Sequence, residues 1–491
     1  MSDRTRDPLF KHMPRGIPAV SPATSKPPTA EFANPRDIRQ GDMLKFQMGK
    51  LFLGVLDASI NRDDPRDPFA EHGQPIGIED DRHVITVAGS RAGKGRSAIL
   101  PNMLTYTGSI LATDPKGELA ELTAIRRAET LGQNVRVLDP FGVANVPDHY
   151  RAAFNPMSIL HRDSPTIIED AGLIADALII KSGGDSHWDE SAQELITAIM
   201  LHLVLMDVPT LCTLPEMRRI LRSEGELVKI LEYRADGDEL DGVLSGLAQS
   251  YLTKPPKEQG SVASTARRQT SFLDFPAMRN VLSRHDFDLG LMKSAPTTIY
   301  LCLPATRMGT CNRWLRLFIN LALSAMENRA EKPRPPVLFC LDEFATLGHM
   351  KNIEDAAGQI AGFGVKLWPI LQDLGQLKTL YKDRWETFMG NAGVLQFFGN
   401  NDLTTLNWVS ERLGKTTIRT MSKGEIGYKE ATSTAATGES WSNDVQPLLT
   451  PDEVARFFGR EDSLLRQLVI LPSLPPIVLQ RAFYDKHELF Q

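Results

Sequence analysis

The feature that most constrains this chain is a repeated order of segments: a short apolar run, a loop at an acidic or small residue, then a helix. "HVITVAG" (83–89) is a β-rich run, "SILATDPKGE" (109–118) a second that stops at Asp114, and "VRVLDPFG" (135–142) a third. "ELTAIRRAETLG" reads as the helix between the last two. Apolar strands that end at Asp or Gly and alternate with helices predict a parallel sheet covered on both faces. Similar runs return in "TTIYLCLP" (297–304), "VLFCLDEFATLG" (337–348), "KLWPILQD" (366–373) and "VLQFFGNND" (394–402), and again in "LVILPSLPPIVLQ" (468–480).

Between about 160 and 285 strand-like runs disappear and helical periodicity takes over. Trp188, Ala192, Leu195, Ile199 and Leu203 fall on one face of a single helix. The fold class expected is therefore α/β, a mainly parallel sheet interrupted by an inserted all-α domain. The expected boundaries are a flexible Pro-rich tail over 1–43, a first part of the α/β domain over 44–160, the helical insertion over 161–285, and the second part over 286–491. Seven prolines and few large apolar groups in the first 40 residues give the tail no core to bury. The polar Thr/Ser/Gly stretch 415–443 is expected to be a mobile loop.

With a formal net charge of −6, total charge does not mark a nucleic-acid binder, and any such surface must be local. No apolar stretch reaches the ~18–20 residues of a membrane span, and no signal-peptide core is found, so the expectation is a soluble, cytoplasmic chain. Cys212, Cys302, Cys311 and Cys340 lack paired metal spacing and read as buried free thiols.

The chemistry starts at "HVITVAGSRAGKGRSAILPN" (83–102), where a strand leads through a glycine-bearing loop into a helix. A phosphate-binding loop needs backbone N–H groups aimed at the anion and a lysine to reach its outer oxygens. Gly89, Ser90, Arg91, Ala92, Gly93, Lys94, Gly95 and Arg96 are the candidate nucleotide-binding residues. The pattern G-x-x-x-x-G-K-[ST] is broken twice, by Ala88 at the first glycine and by Gly95 where a hydroxyl normally meets Mg²⁺. Water or Ser97 could replace that hydroxyl, and the residues do not choose between them.

In "PVLFCLDEFATLG" an apolar strand ends in Asp342 and Glu343. Asp342 is the candidate Mg²⁺ carboxylate and Glu343 the residue to polarise an attacking water, although an acidic helix cap would leave the same pattern. Gln372 ends the next strand, either as a γ-phosphate sensor or as a solvated turn residue. Lys94, Glu343 and Gln372 are thus the candidate catalytic set. Lys254, Lys257, Arg267 and Arg268 form a basic stretch that suits phosphates, although a solvated helix face is the more common source of such a pattern. His187 reads as a packed or capping residue, and no H-E-x-x-H, G-x-S-x-G or G-x-G-x-x-G motif is present.

In this order, these residues resemble the type IV secretion coupling proteins, the conjugative DNA-transfer ATPases of the TraG/TraD kind. "SRAGKGRSAILPN" is similar to that family's Walker A, where glycine after the lysine is common. "GSILATDPKGE", "VLDPFG" and "FNPMSIL" resemble its next strands, and "HWDESAQELI" and "EQGSVASTA" its helical domain. "FCLDEFATLG", "AGFGVKLWPILQDLGQL", "NDLTTLNWVSERLGKTT" and "PLLTPDEV" are similar to its later motifs. The resemblance implies a RecA-like P-loop ATPase using ATP and Mg²⁺. It also implies a homo-hexamer that passes single-stranded DNA with its relaxase, or protein substrates, to a type IV secretion channel.

Family members usually carry N-terminal transmembrane helices. With the Pro-rich tail here, either a separate membrane subunit docks the chain peripherally at the inner membrane, or its role is not at the channel entrance. An arginine finger stays unassigned among Lys366, Arg384 and Arg412. Two other readings remain, a non-hydrolysing adaptor that presents substrates and a hexameric DNA translocase acting away from a channel.

Overall fold

A computed structural model describes residues 30–56, 73–180, 187–423 and 439–490. Most of the expected Pro-rich tail lies outside these residues. Its last residues are described: Asn34 caps the short helix Pro35–Gln40, and the Ala33 N–H donates to the Pro476 carbonyl at 2.9 Å. Ile38 and Leu44, sparse as they are, find a core to enter.

The described residues contain thirteen strands: β1 (Leu51–Leu56), β2 (Gln74–Ile78), β3 (His83–Ala88), β4 (Ile110–Asp114), β5 (Asn134–Leu138), β6 (Thr297–Cys302), β7 (Val337–Leu341), β8 (Val365–Leu371), β9 (Ala392–Phe398), β10 (Lys415–Lys423), β11 (Glu439–Pro447), β12 (Arg466–Ile470) and β13 (Ile477–Gln480). Eleven form one sheet in the order β2-β1-β13-β12-β9-β3-β8-β7-β4-β6-β5. From β9 to β5 every pairing is parallel, while β12, β13, β1 and β2 extend the sheet antiparallel. The remaining pair, β10 and β11, is a separate antiparallel ribbon. Its strands occupy the ends of the stretch expected to be a loop. The β-branched run Thr416–Thr417–Ile418 favours extended pairing more than its polarity suggests.

Strand β3 is buried along its whole length. Ile85 and Val87 enter the core shared with the helical segments, and Val84 and Ala88 enter the opposite layer with Ile99, Leu100 and Met103. Alternation across a strand explains that split. A polar ladder crosses the same strands. Trp368 Nε1 donates to Thr86 Oγ1 (2.9 Å), which donates to Gln396 Oε1 (2.9 Å). Gln396 Nε2 donates to Gln467 Oε1 (2.5 Å), and Gln467 Nε2 to the Leu53 carbonyl (2.7 Å). The ladder ties the antiparallel extension to the parallel strands.

The helix after β3 opens with a wide turn, Gly95–Ile99, and continues as Leu100–Thr105. Its far end is held by Arg127, which is fully buried and, among the described residues, hydrogen-bonds to no carboxylate. The guanidinium donates to the Met103 (2.5 Å), Tyr106 (3.1 Å) and Gly108 (3.0 Å) carbonyls, to Thr298 Oγ1 (2.6 Å) and to Gln133 Oε1 (2.8 Å). A cation on orphan carbonyls complements the negative end of the helix.

Between β5 and β6 the described residues contain helices and turns and no strand. Ala192, Leu195, Ile199 and Leu203 are buried on the helix His187–Leu205. His187 is exposed, with Nε2 3.2 Å from Glu258 Oε1. On the same long helix His202 is 7% exposed, and its Nδ1 accepts from Arg234 Nε at 3.0 Å. Burial first, and the Arg234 cation second, push its pKa down to about 4. The folded pKa thus lies below the ordinary value, so the unfolded chain binds more protons between about pH 6.5 and 4. Stability from this group is fully present above about pH 6.5 and is lost as pH falls towards 4. At pH 5 the loss should be on the order of 1–2 kcal/mol. His202→Gln should flatten that part of the pH–stability curve in urea titrations, and an unchanged slope would rule out the assignment.

Candidate active site

The site is built where β3, β8 and β7 end side by side. The Gly89 N–H donates to the Phe398 carbonyl (3.1 Å), and Ala92 N–H closes a turn on the Gly89 carbonyl (3.1 Å). Arg91 and Gly93 take left-handed φ values of 57° and 86°. Gly89 is required by contact: a Cβ there would lie 1.9 Å from the Gly399 carbonyl oxygen. The close approach that the usual pattern assigns to its first glycine is made here by Gly89, while Ala88 ends the buried strand.

Lys94 begins the helix, and its ammonium lies 3.0 Å from Asp342 Oδ1 and 2.7 Å from Glu343 Oε1. Gln372 Nε2 donates to the other Glu343 oxygen at 3.1 Å. The structure therefore brings Lys94, Asp342, Glu343 and Gln372 together. Burial would lower the Lys94 pKa, but Asp342 and Glu343 outweigh it and hold the ammonium above its ordinary value. Burial raises the Asp342 carboxyl, with Lys94 opposing. Glu343 adopts φ 52°, ψ 41°, a left-handed backbone rare for a residue with a side chain. Its N–H donates to Asp342 Oδ1 at 2.9 Å, and Thr113 Oγ1 holds the Asp342 carbonyl at 2.9 Å.

Ser90 and Arg91 are exposed on the loop. Arg96 is engaged to one side, paired with Asp485 (2.5 Å) and lying 4.1 Å over the Phe483 ring. Ser97 is buried, and its hydroxyl donates to the Gly93 carbonyl at 2.9 Å, so it closes the first turn. A Cβ at Gly95 would meet nothing within 4 Å.

The basic stretch is dispersed. Lys254 pairs with Glu258 (3.1 Å) and Arg267 donates to the Leu221 carbonyl (2.8 Å). Lys257 and Arg268 are exposed on the helix Pro256–Gln269, three turns or roughly 16 Å apart. Of the finger candidates, Lys366 is 2% exposed at the opposite end of β8 from Gln372, Arg384 pairs with Glu354 (2.8 Å), and Arg412 is exposed near the end of Leu403–Leu413. Cys302, Cys311 and Cys340 are buried free thiols and Cys212 is half-buried.

Sequence reasoning missed three participants: Gly399, whose carbonyl meets Gly89; Asn400, whose Nδ2 donates to the Gln372 carbonyl (3.2 Å); and Arg481, which donates to the Ala92 carbonyl. The first two stand in "FFGNND", where a strand ending in Gly-Asn was the available signal.

Residues 55–491 match the family described as Type IV secretory system Conjugative DNA transfer. The chain belongs to that family. It is similar to the conjugal transfer protein TraG of Escherichia coli, 26% identical over 438 residues, covering 83% of this chain and 68% of that protein. It is also similar to protein VirD4 of Agrobacterium fabrum (strain C58 / ATCC 33970), 27% identical over 416 residues, covering 82% of this chain and 58% of that protein. Its fold matches the conjugative coupling protein TrwBdeltaN70 in an unbound form, with a TM-score of 0.60, 15% identity and coverage of 92% and 99% of the two chains. It also matches TrwB in complex with ADP and Mg²⁺, at a TM-score of 0.57 and 14% identity, covering 82% and 86%. The family member described here thus has the RecA-like P-loop fold. No helix among the described residues is long and apolar enough to cross a membrane.

Gly89→Ala forces two backbones apart and should cost at least about 2 kcal/mol of stability. Gly95→Ser, with open space for its side chain, should change stability by less than about 1 kcal/mol. Chemical denaturation of both variants tests the pair, and equal costs would contradict the packing described.

Proposed function

We propose that this protein is an ATP-driven coupling motor of conjugative DNA transfer. It would pass single-stranded DNA with an attached relaxase, or protein substrates, to a type IV secretion channel. The observation that carries the reading is the meeting of Lys94 with Asp342 and Glu343, with Gln372 fixed on Glu343. Family membership supplies the transfer context, and the ADP–Mg²⁺ complex of TrwB supports the choice of ligand.

The residues present fit a magnesium nucleotide. The loop Gly89–Gly95 offers a backbone cradle at a helix start, with free room at Gly95 and an ammonium at its edge. Asp342 is a hard oxygen donor beside it, and no cluster of three metal-ligating His, Cys, Asp or Glu occurs among the described residues. Asp342 would therefore share the ion with phosphate oxygens and water, as Mg²⁺ sites commonly do. The bound ion would neutralise phosphate charge.

An incoming triphosphate competes with both carboxylates for Lys94. Once Lys94 turns to the phosphates, Glu343 is free to accept a proton from water, and the Gln372 amide keeps that carboxylate oriented. Gln372 touches Glu343 and, through Asn400, the residues that follow β9, which would suit it to report nucleotide state. A homo-hexamer, a trans-acting arginine and a membrane partner belong to the same proposal.

Steady-state ATP turnover with and without single-stranded DNA tests it. Glu343→Gln should bind ATP but lose turnover by about 100-fold or more, and Lys94→Ala should lose both. Full turnover in Glu343→Gln would remove Glu343 from its role. The missing hydroxyl at Gly95 favours a second reading, an adaptor that binds nucleotide without hydrolysing it. Turnover that appears only in Gly95→Ser would establish the adaptor, whereas DNA-stimulated turnover in the natural chain excludes it.

A further inference from the structure

Arg481 follows β13 and lies 1% exposed beneath the loop. Its Nη1 donates to the Ala92 carbonyl at 2.5 Å, its Nε to the Leu465 carbonyl at 3.2 Å, and its guanidinium lies 5.0 Å from the centre of the Phe398 ring. Its Nη2 is buried with no partner. Burial lowers its pKa to about 10, so it stays charged at neutral pH. The contrast with Arg466 on the neighbouring strand is informative. Arg466 is also buried, but Asp462 accepts from it at 2.8 Å. Among the described residues Arg481 has no hydrogen-bonded carboxylate, and its guanidinium is placed on the loop carbonyl of Ala92 instead.

The Ala92 carbonyl and the Gly93 N–H belong to one planar trans peptide and point in opposite directions. Holding the carbonyl inward on Arg481 turns the Gly93 N–H outward, away from the protein interior. Among the described residues that N–H has no acceptor. The same C-terminal segment grips the next turn: the Tyr484 N–H donates to the Arg96 carbonyl (3.0 Å) and Asp485 pairs with the Arg96 side chain.

We infer that Arg481 is a positioning residue for phosphate binding, setting the Ala92–Gly93 peptide so that its N–H faces the incoming anion, and that segment 481–485 is a working part of the nucleotide site. The inference rests on the nucleotide reading above. Its test is the dissociation constant for ADP and for inorganic pyrophosphate, measured on the full chain well below its unfolding temperature. Arg481→Gln should weaken both by at least about tenfold. Arg481→Lys, which keeps the charge but not the guanidinium fork, should weaken both by at least about threefold. Arg466→Gln removes an equally buried guanidinium that does not touch the loop, and should lower the unfolding temperature while leaving both constants within about twofold of the natural chain. If Arg481→Gln changes only the unfolding temperature, as Arg466→Gln does, the positioning role is overturned. Should Arg481→Gln not fold, wild-type affinity in Arg481→Lys overturns it. Absence of ADP binding in the natural chain would instead defeat the nucleotide reading itself.

Discussion

The site depends on one constraint, the side-by-side parallel pairing of β3, β8 and β7. Val87 stands opposite Leu371, and Leu341 opposite Pro369, so three strands from distant parts of the chain finish at the same edge of the sheet, β7 two residues before β8. Everything chemical follows from what comes next on each strand: the Gly89–Lys94 loop, Gln372, and Asp342 with Glu343. Parallel strands need crossover connections, and here those crossovers include the helical segment between β5 and β6. The carboxylates therefore reach the lysine across a large loop of chain, and neither end of the site exists without the sheet that joins them.

Charge is balanced locally once these ends meet. Lys94 lies between two carboxylates whose repulsion it offsets, while Gln372 and Asn400 contribute neutral hydrogen bonds around them. The left-handed backbone at Glu343 is a local cost that fixes where its carboxylate can go. A small set of polar groups is thus held in place by a backbone that is itself anchored in a fully buried strand.

Much of this was legible in the sequence. The seven parallel strands announce themselves as apolar runs, and Lys94, Asp342, Glu343 and Gln372 could be named because each stands at the end of such a run. The antiparallel extension was less visible, since Leu51–Leu56 is tied to the sheet by Gln396 and Gln467, whose polarity hides their burial, and Gln74–Ile78 pairs, among the strands, only with Leu51–Leu56. Segment 415–423 was misread because threonine counts as polar in a loop and as β-branched in a strand. Lys254 and Arg267 looked like part of a basic face, but their partners, Glu258 and the Leu221 carbonyl, come from packing that charge counting cannot foresee. Gly399 and Arg481 act through backbone carbonyls, which carry no residue-specific signature.

The buried Arg127 has a mechanical consequence. Five acceptors from four different segments converge on one guanidinium at the rear of the helix that carries Lys94. Sliding that helix along its axis would strand a charge in the interior, at a cost of several kcal/mol. The helix is therefore a fixed post, rooted in the sheet at its far end. Any load placed on its near end would therefore pass through Arg127 into Thr298 of β6 and the strands beside it.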